Sequence, residues 1–207
     1  MLIPSAVTRA ARNAATLVIL SSLVNMAAAQ EPASRAGTWE IRVPSGSFNA
    51  IGAQGRQLKD AHVTAVQLSW VARRHLAVTG TFAWARSRDL ATLGNPKVDV
   101  FTSDLGLEAR STEWSAGRNV SLSTFAGFGA GVRSYDYVKL DASAKYNMAG
   151  YAGAGGELGV RRVALRIEAR NYTSGFKPLA GAGKSDTRND MVVMATVRIN
   201  RRSSEAR

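Results

Sequence analysis

Apolar and polar side chains alternate with a period of two residues along most of the chain from Gly37 onward. This period is typical of β-strands whose two faces lie in different surroundings. The alternation predicts eight strands, at residues 38–44, 62–72, 75–85, 98–110, 119–133, 145–157, 162–173 and 190–200. Eight antiparallel strands of about ten residues suit a closed barrel. The predicted fold class is therefore all-β, an eight-stranded antiparallel up-and-down barrel.

Charged residues lie in the middle of the predicted strands, and this distinguishes two kinds of barrel. Within residues 162–173, Leu165 and Ile167 belong to an apolar face, while Arg166 and Glu168 lie on the opposite face. A soluble barrel turns the apolar face inward, whereas a transmembrane barrel turns it toward lipid. Arginines and carboxylates that pair across a narrow lumen tolerate burial. We therefore predict a transmembrane barrel with a lumen charge network, formed by Glu40, Arg42, Asp104, Glu108, Arg110, Arg133, Glu157, Arg166, Glu168, Arg170 and Arg198.

The connections between the predicted strands alternate in length, which also favours the transmembrane interpretation. The long connections are residues 45–61, 86–97, 134–144 and 174–189, and the short ones are residues 73–74, 111–118 and 158–161. Outer-membrane barrels have short periplasmic turns and longer outer loops. A soluble ligand-binding barrel has no reason to show this regularity.

Aromatic residues concentrate near the ends of the predicted strands, where their rings would lie at the depth of lipid headgroups. The predicted belts contain Trp39, Trp70 and Trp114 at the periplasmic end and Trp84, Phe101, Tyr135, Tyr146 and Tyr172 at the outer end. Glycines such as Gly129 and Gly155 lie on the predicted inward face. They let a curved strand bend and leave room for long arginine and tyrosine side chains.

The first 29 residues have the organisation of a signal peptide. Arg9 and Arg12 precede an apolar run at residues 14–24, and small residues at 27–29 form a cleavage site. The run is well short of the roughly 20 residues that a membrane-spanning helix needs. We predict cleavage after Ala29, a barrel domain at residues 30–200, a polar tail at residues 201–207, and export to the outer membrane of a Gram-negative cell.

Composition leaves two explanations for the positive charge of the chain. The sequence has 27 Lys and Arg against 15 Asp and Glu, a formal net charge of +12. Such a charge fits nucleic-acid binding or a charged barrel interior beside an anionic membrane. The export signal, and the lack of a predicted helix or aromatic platform to present the charge, argue against nucleic acid. With no cysteine and two histidines, we expect no disulfide, metal site or other cofactor.

The chain from Gly37 to Asn200 resembles the outer-membrane β-barrel domain family, which includes small eight-stranded barrels related to the transmembrane domain of outer membrane protein A. The resemblance rests on the strand pattern and on two stretches, FAGFGAGVRSYDY at 125–137 and LRIEARNY at 165–172. It implies an integral outer-membrane protein whose partners are outer-membrane lipids and, during biogenesis, the barrel-assembly machinery. Many family members end in an aromatic residue that helps assembly, whereas this chain ends in a polar tail.

The predicted function is a structural or surface-interaction role without enzymatic activity, because an eight-stranded barrel has an interior just wide enough for side chains. Three alternatives stay open: a narrow or gated channel, a lipid A-modifying enzyme and a soluble periplasmic ligand-binding barrel. The enzyme hypothesis depends on His62, with Asp60, Ser87 and Asp89 as neighbours. Basic residues of the long loops are candidates for contact with lipid phosphates, namely Arg56, Lys59, Arg86, Arg88, Lys97, Lys177, Lys184 and Arg188.

Overall fold

Long antiparallel strands form one sheet that closes on itself. A computed structural model describes residues 36–51, 57–115, 117, 119–138, 145–161, 163–176 and 186–199. The strands are β1 (Trp39–Arg42), β2 (Ser45–Ile51), β3 (Ala61–Arg73), β4 (Leu76–Arg88), β5 (Lys97–Arg110), β6 (Trp114–Ser115), β7 (Val120–Tyr137), β8 (Lys145–Val160), β9 (Val163–Phe176) and β10 (Asp186–Ile199). Within these ranges, no helix is long and apolar enough to cross a membrane.

The last strand pairs with the first part of the chain, and this pairing closes the barrel. β10 pairs with β9 on one side and with β2 on the other. β1 and β2 are two parts of one barrel strand, because Arg42 lies opposite Gln67 of β3 and Ser45 lies opposite Thr64 in the same register. Pro44 lies at the break between them, where its missing N–H is tolerated. The short β6 lies off the barrel path and pairs with β7.

The register of the strands gives the barrel its tilt and width. A path that starts at Ile41 and steps from each residue to its cross-strand partner returns to the first barrel strand at Ile51, ten residues further along. The path passes through Leu68, Gly80, Leu105, Ala130, Gly150, Thr173 and Asn189. Strand number and stagger together set the diameter of a barrel, and eight strands enclose a space that side chains can fill.

The two faces of the wall have the reverse polarity of a soluble protein. The outward face exposes large apolar side chains, including Ile41 at 74% and Leu105 at 70%. The inward face buries charged side chains, and Arg133 and Arg170 are each only 1% exposed. The predicted all-β, eight-stranded antiparallel barrel is confirmed, and it is the architecture that the resemblance to the outer-membrane β-barrel domain family implies.

The strands extend further than the sequence predicts at one end of the barrel. We name the end with the connections at residues 74–75, 111–119 and 161–162 the turn end, and the opposite end the loop end. Residues 45–51 were expected in a long loop but form β2, and β4, β7, β9 and β10 also continue beyond their predicted limits at the loop end. The connection at residues 111–119 is as long as those at the loop end, so the regular alternation of loop lengths was wrong at this place.

Candidate functional site: the filled lumen

The inward faces of the strands place three layers of side chains inside the barrel. On β9, the alternate positions Arg166, Glu168, Arg170 and Tyr172 all face the lumen and run from the turn end toward the loop end. Ion pairs fill the layer at the turn end, arginines and tyrosines fill the middle, and apolar side chains fill the loop end. The layers differ because the polar residues at alternate positions give way to apolar ones along the same strands.

The layer at the turn end is a network of ion pairs that joins opposite walls. Arg110 of β5 donates to Glu40 of β1 at 3.0 and 3.1 Å and to Glu108 at 2.8 Å. Arg166 of β9 donates to Glu108 at 2.5 Å. Arg42 forms an ion pair with Glu40. Each carboxylate therefore faces more than one guanidinium, which compensates for the loss of water around these charges.

Arg198 and Glu157 complete this network beside a small cavity at the turn end. The two side chains form an ion pair, and Arg198 also lies 3.9 Å from Glu40. The cavity has a volume of about 70 Å³, and its lining includes Glu40, Arg42, Arg110, Glu157, Arg166 and Arg198. This is a polar recess at one end of the lumen.

Arg170 is the centre of the middle layer. Its guanidinium donates to Glu168 at 2.6 Å, to Thr81 at 3.0 Å and to Asp104 at 3.3 Å. The hydroxyl of Tyr172 donates to Asp104 at 2.8 Å. The guanidinium also lies 4.6 Å from the centre of the Tyr151 ring, a distance typical of a cation–π contact.

Arg133 joins the middle layer to the last strand. It forms a fully buried ion pair with Asp190 of β10 and donates to Thr102 at 3.0 Å. Its guanidinium also stacks over the ring of Tyr172, 4.5 Å from the ring centre. Arg133 therefore bridges β7, β5 and β10 from a single side chain.

Two aromatic rings in the lumen occupy space that inward-facing glycines provide. A β-carbon at Gly129 would collide with the Tyr151 ring, and one at Gly155 would collide with the Phe125 ring. The Phe125 ring in turn lies under the Arg166 guanidinium. These glycines therefore make room for large inward side chains, but the two rings belong to the directly paired positions on the neighbouring strand and not to the opposite wall that was expected.

Apolar side chains close the lumen at the loop end. This apolar layer includes Phe48, Leu58, Val63, Ala85, Val98, Val100, Tyr135, Val192 and Met194, all of which are buried. Val192 and Met194 are apolar although they lie on the otherwise polar face of their strand. They are apolar because they pack in this layer. In the described part of the chain, the lumen therefore has a polar network at one end and an apolar plug at the other.

The predicted network residues all lie on the inward side of the wall, and the structure brings them together in the contacts above. The network predicted from the sequence omits two inward residues, Asp190, which pairs with Arg133, and Arg188. The signal was available, because Arg198 lies inside and Asp190 and Arg188 follow at even intervals along the same strand.

Two members of the predicted aromatic belts are wrong. Tyr135 and Tyr172 are 1% and 2% exposed and lie in the lumen. Both occur an even number of residues from an inward arginine, Arg133 and Arg170, so strand alternation turns them inward. The other predicted members are Trp39, Trp70, Trp84, Phe101, Trp114 and Tyr146. None of these six is buried, and the Trp39 and Trp70 rings lie 6.3 Å apart on the outside of the turn end.

The residues of the enzyme hypothesis do not form one site. His62 points outward, where its Nε2 lies 3.0 Å from the Ser45 hydroxyl. Asp60 accepts from the backbone N–H of Ala50, and Ser87 and Asp89 are buried on the inward side. Among the described residues, no group of His, Cys, Asp or Glu side chains has the arrangement of a metal site.

The basic residues predicted for the loops fall into three groups. Lys59, Arg86, Arg88 and Lys97 are exposed at the loop end. Arg188 was expected in a loop but is buried in β10, where it donates to Gln57 at 2.8 Å. Arg56, Lys177 and Lys184 lie outside the described residues, as do the predicted signal peptide and C-terminal tail.

Comparison with known proteins adds one structural similarity. No family model matches the chain, and no curated protein matches it. Among solved structures, the chain is similar to Neisserial surface protein A, with a TM-score of 0.47 and 12% sequence identity, over 78% of this chain and 96% of that one. A similarity at this level carries no information about function.

Proposed function

We propose that the chain is an integral outer-membrane protein with a filled lumen, a structural or surface-interaction role and no enzymatic activity. The observation that supports this proposal is the reversed polarity of the wall. Exposed apolar side chains surround the barrel, while buried charges form its interior. Soluble proteins rarely expose contiguous apolar surface of this extent, and lipid is the solvent that suits it.

The height of the apolar surface supports a membrane location. On β4, the exposed large apolar side chains run from Leu76 to Trp84, and Arg86 is the first exposed charge after them. A tilted transmembrane strand needs about 9–11 residues to cross the hydrocarbon core. The segment from Leu76 to Trp84 is close to that length, so aromatic and charged residues would lie at the membrane surface.

The filled lumen favours a non-conducting role over the channel alternative. The ion pairs at the turn end and the apolar layer at the loop end both occupy the lumen cross-section. A structural or surface role needs no passage through the barrel. The outward pair of His62 and Ser45 is separated from Ser87 and Asp89, so the geometry gives no support to lipid modification by those residues.

Cell fractionation combined with gel mobility tests the proposal. The wild-type protein should be found in the outer-membrane fraction, and it should migrate differently in gels before and after boiling, as detergent-stable barrels do. Recovery in the soluble periplasm would refute a membrane location. An altered lipid A profile in an overexpressing strain would refute the absence of enzymatic activity.

A matched pair of variants tests which face meets lipid. Ile167 lies in the middle of the apolar surface of β9, and Thr173 lies on the same face near the loop end. A lysine on the lipid face costs about 2–4 kcal/mol at the membrane midplane and about 0–1 kcal/mol near the interface. Ile167→Lys should therefore abolish the heat-dependent mobility, while Thr173→Lys should retain it. The same gel mobility in both variants would contradict the prediction that Ile167 lies at the membrane midplane and Thr173 near the interface.

A further inference from the structure

Three cations lie side by side on the outside of the barrel at the loop end. Arg88 of β4 is directly opposite Lys97 of β5. On its other side, the Lys59 N–H donates to the Arg88 carbonyl at 3.0 Å, next to the bridge between Leu58 and Asp89. Because the flanking Leu58, Asp89 and Val98 are buried, strand alternation turns Lys59, Arg88 and Lys97 outward, and all three are exposed. We name these three residues the basic row.

Of the four carboxylates near the basic row, three accept hydrogen bonds from groups outside it, and the fourth, Asp136, is exposed opposite Asp99. Asp99 forms a bidentate ion pair with Arg86 at 2.7 and 2.8 Å. Asp89 accepts from the Tyr137 hydroxyl at 2.8 Å on the inward side. Asp60 accepts from a backbone N–H, and Asp136 lies opposite Asp99 rather than opposite Lys97. Like charges directly opposite each other in a sheet are destabilising, so the row is a place where an anion would be stabilised.

The basic row lies at a defined distance above an aromatic pair. Trp84 and Phe101 are direct cross-strand partners on the outward face, and the Arg86–Asp99 pair lies between them and the row. Arg88 lies four positions after Trp84, which corresponds to about 13 Å along a strand at about 3.3 Å per residue. Aromatic rings mark the edge of the hydrocarbon region, so the row lies at the depth of lipid headgroups.

We propose that the basic row binds the phosphate of an outer-leaflet lipid headgroup. This inference rests on the proposed outer-membrane location and on the prediction that the loop end faces outward. The Arg88 guanidinium presents a planar fork that matches phosphate oxygens, and the two lysines add charge on either side. The Trp84 and Phe101 rings lie below, where they would contact the apolar part of the same lipid. A lipid fits better than free phosphate, because the row lies directly above the apolar surface of the wall.

Lipid retention by purified protein tests the proposal. The protein is prepared in uncharged detergent micelles that contain diphosphorylated lipid A, its dephosphorylated counterpart or inorganic phosphate alone. Native mass spectrometry then counts the retained lipids. The test variant is R88Q/K97Q, and the matched control is R73Q/R161Q, which removes the same charge from exposed positions at the turn end. We expect the wild type and the control to retain the phosphorylated lipid. In R88Q/K97Q, the affinity for this lipid should be lower by roughly tenfold or more.

Stability without lipid gives a second, independent measurement. In phosphate-free micelles at low salt, repulsion within the row should lower the temperature at which the wild-type gel mobility shift is lost, and added salt should raise that temperature. R88Q/K97Q should be at least as stable as the wild type and less sensitive to salt. This result would show that the variant folds and that its lost lipid binding is specific.

Three results would overturn the proposal. Equal retention of phosphorylated lipid by wild type and R88Q/K97Q would show that the row is not the site. Equal retention of the dephosphorylated lipid would show that phosphate is not recognised. If inorganic phosphate raised the temperature at which the gel mobility shift is lost as much as phosphorylated lipid does, the row would be assigned to the free ion instead of a lipid. A wild-type protein that shows no heat-dependent mobility in any micelle would refute the proposed function itself, which is a different outcome from these.

Discussion

Removal of the Arg170 guanidinium tests whether the lumen network holds the barrel walls together. Arg170 is almost fully buried and donates to Glu168, Thr81 and Asp104 at 2.6, 3.0 and 3.3 Å. Arg170→Met leaves an unbranched side chain in the lumen but removes the cation from two buried carboxylates. Breaking a buried ion pair by removing one partner costs about 3–5 kcal/mol.

The remaining contacts place the expected loss at the lower end of that range. Asp104 keeps the hydrogen bond from the Tyr172 hydroxyl at 2.8 Å, and Glu168 keeps Arg166 at 3.5 Å. We therefore expect Arg170→Met to lower the free energy of unfolding by about 3 kcal/mol. The double variant D104L/R170M removes a carboxylate together with the cation. It should recover a substantial part of the loss, because apolar groups of similar size can replace a buried ion pair.

Urea titration of the purified barrel in micelles measures these differences, with the folded fraction read from gel mobility. The matched control is Arg86→Met, which removes the exposed partner of Asp99 and should stay close to wild type, because surface ion pairs contribute little. A loss below about 1 kcal/mol in Arg170→Met would refute the structural role of the network, since that is the scale of an exposed pair. A double variant no more stable than the single one would refute the assigned pairing of Arg170 with Asp104.

Two further predictions concern the packing of the lumen. Gly155→Val should prevent folding, because a β-carbon there collides with the Phe125 ring, whereas Gly156→Ala should fold, since its β-carbon meets nothing closer than 3.5 Å; heat-dependent gel mobility distinguishes them, and a folded Gly155→Val barrel would contradict the packing. Phe48→Ala combined with Met194→Gly should open the apolar layer at the loop end and raise the conductance in planar bilayers above that of the wild type. Equal conductance would show that this layer is not the seal.

Strand alternation made the fold predictable from the sequence. The two faces of the wall have opposite polarity, as the proposed membrane location requires, so the signal survives along the strands that cross the apolar surface. The ninth strand in chain order, β9, shows it best, with Leu165 and Ile167 outward and Arg166, Glu168 and Arg170 inward. The residues of the predicted charge network lie on the inward face, although which arginine meets which carboxylate needed the structure.

The errors occurred where one face changes character along a strand. In β2, which forms the part of the first barrel strand nearer the loop end, the outward residues Ser45 and Ser47 are polar while Phe48 faces inward, so the alternation weakens and predicts a loop. Tyr135 and Tyr172 were assigned to the aromatic belts by their height along the strand, although their position in the alternation turns them inward. A residue of an aromatic belt must lie near the end of its strand, and its side chain must also point outward.

Among the described residues, the charges in the lumen balance, and this places the net charge of the chain elsewhere. The inward arginines are Arg42, Arg110, Arg133, Arg166, Arg170, Arg188 and Arg198, and the inward carboxylates are Glu40, Asp89, Asp104, Glu108, Glu157, Glu168 and Asp190. A formal net charge of +12 therefore cannot come from the interior. It belongs to the barrel rims and to the parts of the chain outside the described strands. Positive charge at a rim is favourable beside an anionic membrane surface, because attraction to headgroups offsets the repulsion between neighbouring cations. The basic row is the clearest instance of such charge in the described residues, and it is the part of the molecule whose stability should depend most on what surrounds the barrel.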